Sequence, residues 1–208
     1  MTRDKPHGFT LVEVLVAMVI MAMMAVMAWQ GVDGIVRTRN ASQERLETTL
    51  RLNTVIAQWD QDLASLQETN VVPSQLACNG ATVRLTRRTP DGVQIVAWTL
   101  RPAENNTSVW ERWAGPAVTT SGELKDSWLR SQQLQGGEPG SLRTLTGLTG
   151  WQVYFYQGNA WANCQSTGDV VGGVTTTQQT PAGVRVVLSF ATGSGVNGDL
   201  TRDTLLKR

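Results

Sequence analysis

The stretch Gly8-Phe9-Thr10-Leu11-Val12-Glu13 opens an apolar run that continues to Trp29. Between Phe9 and Val32 the only charged residue is Glu13. At about 1.5 Å of rise per residue, a helix of this length can cross a hydrocarbon core about 30 Å thick. A lone span must be helical, because lipid offers no hydrogen-bonding partner to backbone N–H and C=O groups. The run therefore predicts a transmembrane helix over residues 9–32.

The polar residues around this run differ from those of a cleaved secretory signal. Such signals have an apolar core of roughly 7–15 residues followed by a small-x-small cleavage site. Here the apolar run is longer, and Ala22, Ala25 and Ala28 are three residues apart, so no such site follows. Polar residues give way to apolar ones after a leader, residues 1–8, that carries two basic side chains. By the positive-inside rule we expect the leader in the cytoplasm and the C-terminal part across the membrane.

The segment from Gly8 to Glu13 resembles the processing site of the type IV pilin and type II secretion pseudopilin superfamily. The resemblance implies that a prepilin peptidase cuts between Gly8 and Phe9 and methylates the new N-terminus at Phe9. Glu13 then becomes the acid at mature position five. In this family, that acid is thought to meet the N-terminal amine of a neighbouring subunit as the filament packs.

Physical chemistry also requires a partner for Glu13. An acid inside a membrane span costs about 2.5–3.5 kcal/mol or more, so a compensating cation is expected nearby. The α-amino group that cleavage would create at Phe9 is the nearest candidate. The alternative is that Glu13 reaches the membrane interface and favours the positive end of its own helix.

Composition indicates a small anchored protein without an enzymatic site. The 208 residues leave room for one anchor and one domain. The net charge is +1, and loss of the leader takes it to 0, so no nucleic-acid partner is predicted. The one histidine, His7, lies in the leader, so the mature chain would lack Ser–His and Cys–His pairs and histidine-based zinc sites. We expect no catalytic residue, metal or cofactor.

Two pairs of aspartates lie close in sequence, Asp60 with Asp62 and Asp199 with Asp203. Neither pair has the surroundings of an acid/base site. We expect the first pair on a solvated helix face and the second at a turn beside a strand end.

The two cysteines, Cys78 and Cys164, suit an oxidising compartment. A disulfide between them would close a long loop and stabilise the fold by roughly 4–5 kcal/mol in the chain-entropy model. The alternative is two unrelated buried thiols. The pairing is an inference from compartment and cysteine count, and the family resemblance does not supply it.

Beyond the membrane, residues 33–70 predict a second, amphipathic half of the helix. Gly31 and Gly34 lie near its start. We expect them either to allow a bend in the helix or to allow close packing against other helices. The helix is expected to end at Val71-Val72-Pro73, because proline cannot continue a helix. One face of this half carries an apolar stripe suited to packing on a sheet, formed by Leu52, Val55, Ile56, Trp59, Leu63 and Leu66.

Residues 71–208 predict a β-rich head, because the periodicity changes from 3.6 to 2. A three-stranded antiparallel meander is expected first, with a turn at Thr89–Gly92. A polar excursion over Thr120–Gly140 should hold a helical turn around Leu124–Leu134. The loop over 168–180 is rich in glycine and threonine, and the tryptophans are expected mostly in the core. The predicted strands are Thr82–Thr86, Val93–Leu100, Ser108–Trp113, Gly150–Tyr156, Asn159–Ala162, Gly183–Phe190 and Leu200–Leu206.

A long anchor helix packed on an antiparallel β-sheet head is an α+β, pilin-like fold. Within the superfamily the chain most resembles minor pseudopilin J. The loop over 168–180 and the two cysteines are departures from that pattern. The resemblance rests on the segments Arg45–Asn53, Trp59–Leu63, Val93–Leu100, Val109–Trp113, Gly150–Tyr156 and Pro181–Leu188.

The resemblance implies a structural subunit in the tip complex of the type II secretion pseudopilus. It would sit in the inner membrane as a single-pass protein, with its head in the periplasm. Its partners would be the prepilin peptidase, other minor and major pseudopilins and the inner-membrane assembly platform. The alternatives are a minor pilin of a type IV pilus and a single-span periplasmic binding protein that does not polymerise.

Overall fold

The structure is a computed structural model that describes residues 9–165, 180–196 and 198–206. Those residues form two α-helices and eight β-strands. The chain divides into two compact units, Met1–Glu47 and Thr48–Arg208, and the first helix, α1 (Leu11–Ala64), has residues in both. The predicted α+β class, with a long N-terminal helix followed by an antiparallel sheet, is confirmed.

In the first unit, α1 carries the apolar run predicted to span a membrane. Its large apolar side chains are exposed, for example Met27 at 69% and Trp29 at 76%. Among the described residues, α1 is the helix that is long and apolar enough to cross a membrane. The helix continues through Gly31 and Gly34, so the glycines do not interrupt it.

In the second unit, the last turns of α1 pack on the sheet through the predicted stripe. Val55, Trp59 and Leu63 are buried in the main core. Leu52 and Ile56 are partly buried against the same core. The period of 3.6 placed these apolar residues on one side of the helix, so the sheet can cover them together. This part of the prediction is confirmed.

The end of α1 was predicted too late. The helix ends at Ala64, well before Pro73, because the next residues pair with the sheet. Leu66 forms an antiparallel bridge with Arg87, and the Gln67 N–H donates to the carbonyl of Thr86 at 2.9 Å. These sheet hydrogen bonds replace the helical ones before the proline is reached.

The eight strands form one antiparallel sheet in the order β1-β2-β3-β4-β5-β7-β8, with β6 paired to β5. The predicted meander corresponds to β2, β3 and β4. The three-residue β1 was not predicted, because so short a segment has no readable alternation. The strands are β1 (Leu76–Cys78), β2 (Thr82–Thr89), β3 (Gly92–Pro102), β4 (Ser108–Ala114), β5 (Ser141–Gln157), β6 (Ala160–Asn163), β7 (Gly183–Phe190) and β8 (Asp199–Leu205).

Strand β5 is more than twice as long as predicted. Its first half pairs with β4 and its second half with β7, so it joins the two predicted groups of strands into one sheet. The alternation is shifted by an irregularity between Leu148 and Gly150. A break in register changes which residues face the core. The first half therefore lacked the alternation by which the second half was recognised.

The second helix, α2 (Ser121–Gln132), lies within the predicted polar excursion. Thr120 caps it: its hydroxyl oxygen accepts from the Glu123 N–H at 3.4 Å and its hydroxyl donates to the Glu123 carboxylate at 2.6 Å. α2 packs on the sheet in a second core. The residues of β3 in this core lie on the face opposite Trp98. Its buried members are Val72, Ile95, Ala97, Trp113, Leu124 and Trp128.

The main core is built around tryptophans, as expected. Trp59 of α1 contacts Trp98 and Trp110, with ring centroids 5.6 and 5.4 Å apart. Trp98 and Trp110 lie 4.3 Å apart, and Trp151 completes the cluster at 6.0 Å from Trp110. Aromatic contacts in this range add to the free energy of burial, so the cluster ties the helix to three strands.

The predicted turn Thr89–Gly92 connects β2 and β3, with Thr89 and Gly92 paired across it. Gly92 has φ +135°, and a Cβ there would collide with the backbone carbonyl of Val118. Glycine is therefore required at this position. The loop predicted over 168–180 lies outside the described residues except for Thr180.

Candidate processing and assembly site

The residues of the predicted processing site lie at the start of α1. Gly8 is outside the described residues. Phe9 and Thr10 precede the helix, and the Phe9 side chain is 88% exposed. The predicted cut would therefore fall just before an exposed, non-helical residue pair.

Thr10 and Glu13 form a reciprocal cap on the first turn of α1. The Glu13 Oε2 atom accepts from the Thr10 backbone N–H and from its hydroxyl, both at 2.9 Å. The Glu13 N–H lies 3.3 Å from the Thr10 Oγ1 atom, which accepts it. This is the capping-box arrangement, in which two N–H groups left open by helix geometry are satisfied by side chains.

The cap gives Glu13 a local role that agrees with the alternative interpretation of this residue. The carboxylate stabilises the N-terminus of its own helix, where the helix dipole favours negative charge. A carboxylate has about four acceptor positions. Both contacts use Oε2, and Oε1 accepts no hydrogen bond from any residue that the structure describes. The geometry thus leaves one oxygen available for a further donor.

Sequence reasoning did not identify Thr10. The signal was present, because Thr10-Leu11-Val12-Glu13 matches the T-x-x-E pattern of a capping box directly before an apolar run.

The prediction that Asp60 and Asp62 lie on a solvated helix face is wrong for Asp62. Its side chain has no exposed surface and contacts two arginines, Arg87 and Arg112. Oδ1 accepts from Arg87 Nη1 at 2.8 Å, and from Arg112 Nη2 and Gln58 Nε2 at 2.9 Å. Oδ2 accepts from Arg112 Nε at 2.7 Å and from the Trp98 indole at 2.9 Å. The carboxylate therefore joins the end of α1 to β2, β3 and β4.

Asp60 contacts a different strand. Its carboxylate accepts from Arg202 Nη2 at 2.6 Å and from the Thr204 hydroxyl at 2.7 Å, both on β8. The hydrogen bonds that Arg202 donates to Asp60 raise the pKa of the Arg202 guanidinium. The Asp60 side chain is 24% exposed, so it is half-buried at the helix flank.

The second aspartate pair, which was expected at a turn beside a strand end, lies within β8. Asp199 begins the strand, and Asp203 is inside it. Asp203 forms a bidentate ion pair with Arg185 of β7, and both N–O distances are 2.6 Å. The hydrogen bonds from Arg185 hold the pKa of the Asp203 carboxyl below its ordinary value. The strand prediction for this segment began one residue late, at Leu200.

Cys78 and Cys164 are joined by a disulfide across 86 residues of sequence, with their Cα atoms 5.8 Å apart. Cys78 ends β1, and Cys164 follows β6. The Gln165 side chain donates to the carbonyl of Asn79 at 3.0 Å, so a hydrogen bond lies beside the disulfide. The arrangement ties strand β1 to the region after β6.

In the part of the chain that the structure describes, no group of three or more His, Cys, Asp or Glu side chains is placed to hold a metal ion. Asp60 and Asp62, which were expected on a solvated helix face, are instead paired with arginines, and so is Asp203. These contacts hold strands and helix together.

The family comparison agrees with the N-terminal geometry. A family model described as the prokaryotic N-terminal methylation motif matches residues 3–29. This range includes Gly8, Phe9 and Glu13, and it continues into the apolar part of α1. No curated protein matches the chain in a sequence comparison.

The motif and the helix together define the class of protein. The chain carries a type IV pilin-like signal, which indicates a pilin-like or pseudopilin-like protein. The motif implies processing by a prepilin peptidase and assembly with other pilin-like subunits. Proteins with this signal are typically structural and non-enzymatic, and the apolar N-terminal helix fits a single-pass membrane anchor.

Proposed function

We propose that the protein is a minor pseudopilin, a structural subunit in the tip complex of a type II secretion pseudopilus. It supports protein export across the outer membrane and has no enzymatic activity. The observation that carries the proposal is the methylation motif over residues 3–29, placed at the start of an apolar helix that leads into a β-rich head.

In this proposal, residues 1–8 are a leader that stays in the cytoplasm, and residues 9–32 cross the inner membrane. The prepilin peptidase cuts between Gly8 and Phe9 and methylates Phe9. The exposed, non-helical position of Phe9 supports access by an enzyme. The head then lies in the periplasm, where Cys78 and Cys164 are oxidised to a disulfide.

Glu13 has two roles that use different oxygens. Oε2 caps the helix through Thr10, as described above. Oε1 receives the α-amino group of Phe9 from a neighbouring subunit when the anchor helices pack in the filament. A paired carboxylate and amine are tolerated in the membrane where a lone carboxylate is costly.

The head suits a subunit that contacts different partners. Its core is closed by the α1 stripe, and few large apolar side chains in the second unit are highly exposed, among them Leu142 at 61% and Leu205 at 81%. A surface of this kind favours weak self-association, and specific partners would be other minor and major pseudopilins. The inner-membrane assembly platform would be a further partner.

The test is the association of heads in solution. A fragment that begins at Val36 should be soluble and folded without detergent, because the residues before Gly34 serve the membrane. Mixed with the heads of the other minor pilin-like subunits of the same cell, it should form a hetero-complex in analytical ultracentrifugation, and alone it should remain a monomer. A head that stays monomeric with every such subunit, or that polymerises alone, contradicts the tip-complex proposal and favours the type IV pilus or non-polymerising alternatives.

A further inference from the structure

Strand β8 is an edge of the sheet. It is the last strand in the sheet order, and among the described strands it pairs with β7. At the other end of the order β1 has three residues, whereas β8 has seven. An edge strand presents a row of backbone N–H and C=O groups with which another extended chain can pair.

The register shows which backbone groups of β8 point away from the sheet. Gly183 lies opposite Leu205, and the Leu206 N–H donates to the Ala182 carbonyl at 3.0 Å. In an antiparallel ladder, pairs that exchange hydrogen bonds alternate with pairs that do not. Gly183 and Leu205 are therefore a pair that does not exchange them, because the bond joins their neighbours. The residues of β8 whose N–H and C=O groups point outward are Thr201, Asp203 and Leu205.

These outward groups are open to a partner. No described residue forms a backbone hydrogen bond with them, and all three residues are exposed, Leu205 at 81%. Helix α1 contacts β8 on one face, where the Asp60 carboxylate accepts from the side chains of Arg202 and Thr204. Side chains alternate between the faces of a strand, so those at the outward positions lie on the face away from α1.

Pairing between two copies of β8 is unfavourable. Antiparallel pairing over all seven residues places Arg202 opposite the same residue of the second copy. A shift that centres the pairing on Asp203 places two Asp203 carboxylates opposite each other. Like charges directly opposite each other destabilise a strand pair. The edge therefore favours a strand of different sequence.

The side chains on the face away from α1 indicate the chemistry of that strand. Asp199 and Asp203 both lie on this face, and Arg185 binds Asp203. Asp199 forms no ion pair within the described part of the chain, so one negative charge is left uncompensated. At the other end of β8 the exposed Leu205 adds an apolar side chain.

We propose that β8 binds an extended segment of a different protein, which adds to the sheet as a further strand. The segment carries basic residues opposite Asp199 and Asp203 and an apolar residue opposite Leu205. Backbone hydrogen bonds supply affinity in this mode of recognition, and alternate side chains supply specificity. That the partner is another pilin-like subunit rests on the proposed function, whereas the strand-binding edge does not.

The test uses a synthetic strand. The full chain, labelled with ¹⁵N and held in detergent micelles, is titrated with the peptide acetyl-Val-Thr-Lys-Thr-Thr-Val-Lys-amide. In antiparallel register its valine at the first position lies opposite Leu205, and its lysines lie opposite Asp203 and Asp199. The amide signals of Thr201, Asp203 and Leu205 should shift saturably, and their hydrogen exchange should slow about tenfold or more at saturation.

Modified peptides separate strand pairing from other binding. N-methylation of the third and fifth residues removes the N–H groups that face β8, so binding should be lost. N-methylation of the second and fourth residues removes N–H groups that point away from β8, so this peptide should bind as the unmodified one does. A peptide with glutamate in place of both lysines should bind about tenfold more weakly or worse.

A matched pair of variants tests the edge from the side of the protein. Thr201→Pro removes an outward N–H and no hydrogen bond to β7, so it should weaken binding about tenfold. Thr201→Val keeps the N–H and should bind as the wild type does. If circular dichroism shows that Thr201→Pro is unfolded, the N-methylated peptides decide, because they leave the protein unchanged.

Four results would overturn the proposal. They are the absence of a saturable shift, equal binding of the peptide methylated at its third and fifth residues, and outward amides that are already protected from exchange in the free chain. The fourth is a dimer of the full chain that Thr201→Pro dissociates in analytical ultracentrifugation, since the occupant would then be a second copy. Because no partner subunit is used, these outcomes do not depend on the tip-complex proposal.

Discussion

Arg112 and Asp62 are joined by two hydrogen bonds, Nε to Oδ2 at 2.7 Å and Nη2 to Oδ1 at 2.9 Å, although 50 residues separate them in sequence. The contact fixes the last turns of α1 to β4. Because Asp62 has no exposed surface, its charge depends on these protein donors and not on water. The end of the helix is therefore held on the sheet by a buried charge as well as by the apolar stripe.

Replacement of Asp62 by alanine should destabilise the head by about 3–5 kcal/mol, because two arginines lose their buried partner. The measurement is urea unfolding of the head fragment, followed by tryptophan fluorescence. Asp126→Ala on the exposed face of α2 is the matched control and should change stability by less than about 0.5 kcal/mol. Equal stability of the two variants would show that the Asp62 contacts contribute nothing net.

Reduction of the disulfide between Cys78 and Cys164 should lower the melting temperature of the head. The bridge spans 86 residues, so its removal should cost roughly 4–5 kcal/mol in the chain-entropy model. A double variant, Cys78→Ser with Cys164→Ser, should melt at the lower temperature and should not respond to reductant. Two free thiols titrated in unfolded, non-reduced protein from cells would rule out the bridge.

Removal of the Glu13 carboxylate in Glu13→Val should leave membrane insertion and cleavage intact, because the segment becomes more apolar. Crosslinking to neighbouring subunits should fall strongly, because the α-amine of Phe9 loses its partner. Thr10→Val is the control for the capping role, which contributes about 1 kcal/mol, and it should reduce crosslinking much less. If both variants crosslink equally poorly, helix capping and not charge pairing explains the effect of Glu13.

The ion pair between Arg185 and Asp203 should make part of the stability depend on pH. Arg185 lowers the pKa of Asp203 in the folded head, so the pair stabilises the fold above the unfolded pKa, which is about 3.9. The contribution is lost as the pH falls through the lower, folded pKa. The difference in urea midpoint between wild type and Asp203→Asn should therefore shrink as the pH is lowered from 6 to 3. A difference that stays constant over this range would contradict the assignment.

Local patterns predicted much of the fold. The strand Gly183–Phe190 was predicted with its observed bounds, because alternation of apolar residues is set by strand geometry alone. The α1 stripe could be predicted for the same reason, with a period of 3.6. The helix end could not be predicted, because Leu66 leaves the helix to pair with Arg87, a residue whose position depends on the whole sheet.

The candidate site divides in the same way. Gly8, Phe9 and Glu13 are neighbours in sequence, so a motif can identify them, and the capping contact of Thr10 was also readable. The environment of Asp62 was not, because Arg87, Trp98 and Arg112 come from three different strands. The burial and the partners of a charged residue follow from tertiary packing. A single sequence does not show which residues that are distant along the chain will contact each other in the fold.

The measurement that tests the central claim most directly is the mass of the mature N-terminus in cells. Mass spectrometry of the membrane-extracted protein should show a chain that begins at Phe9 and carries one methyl group. The variant Gly8→Leu should remain as a membrane-inserted precursor with residues 1–8 attached. A wild-type chain that retains its leader without methylation, or a Gly8→Leu chain that still yields methylated Phe9, would contradict the account.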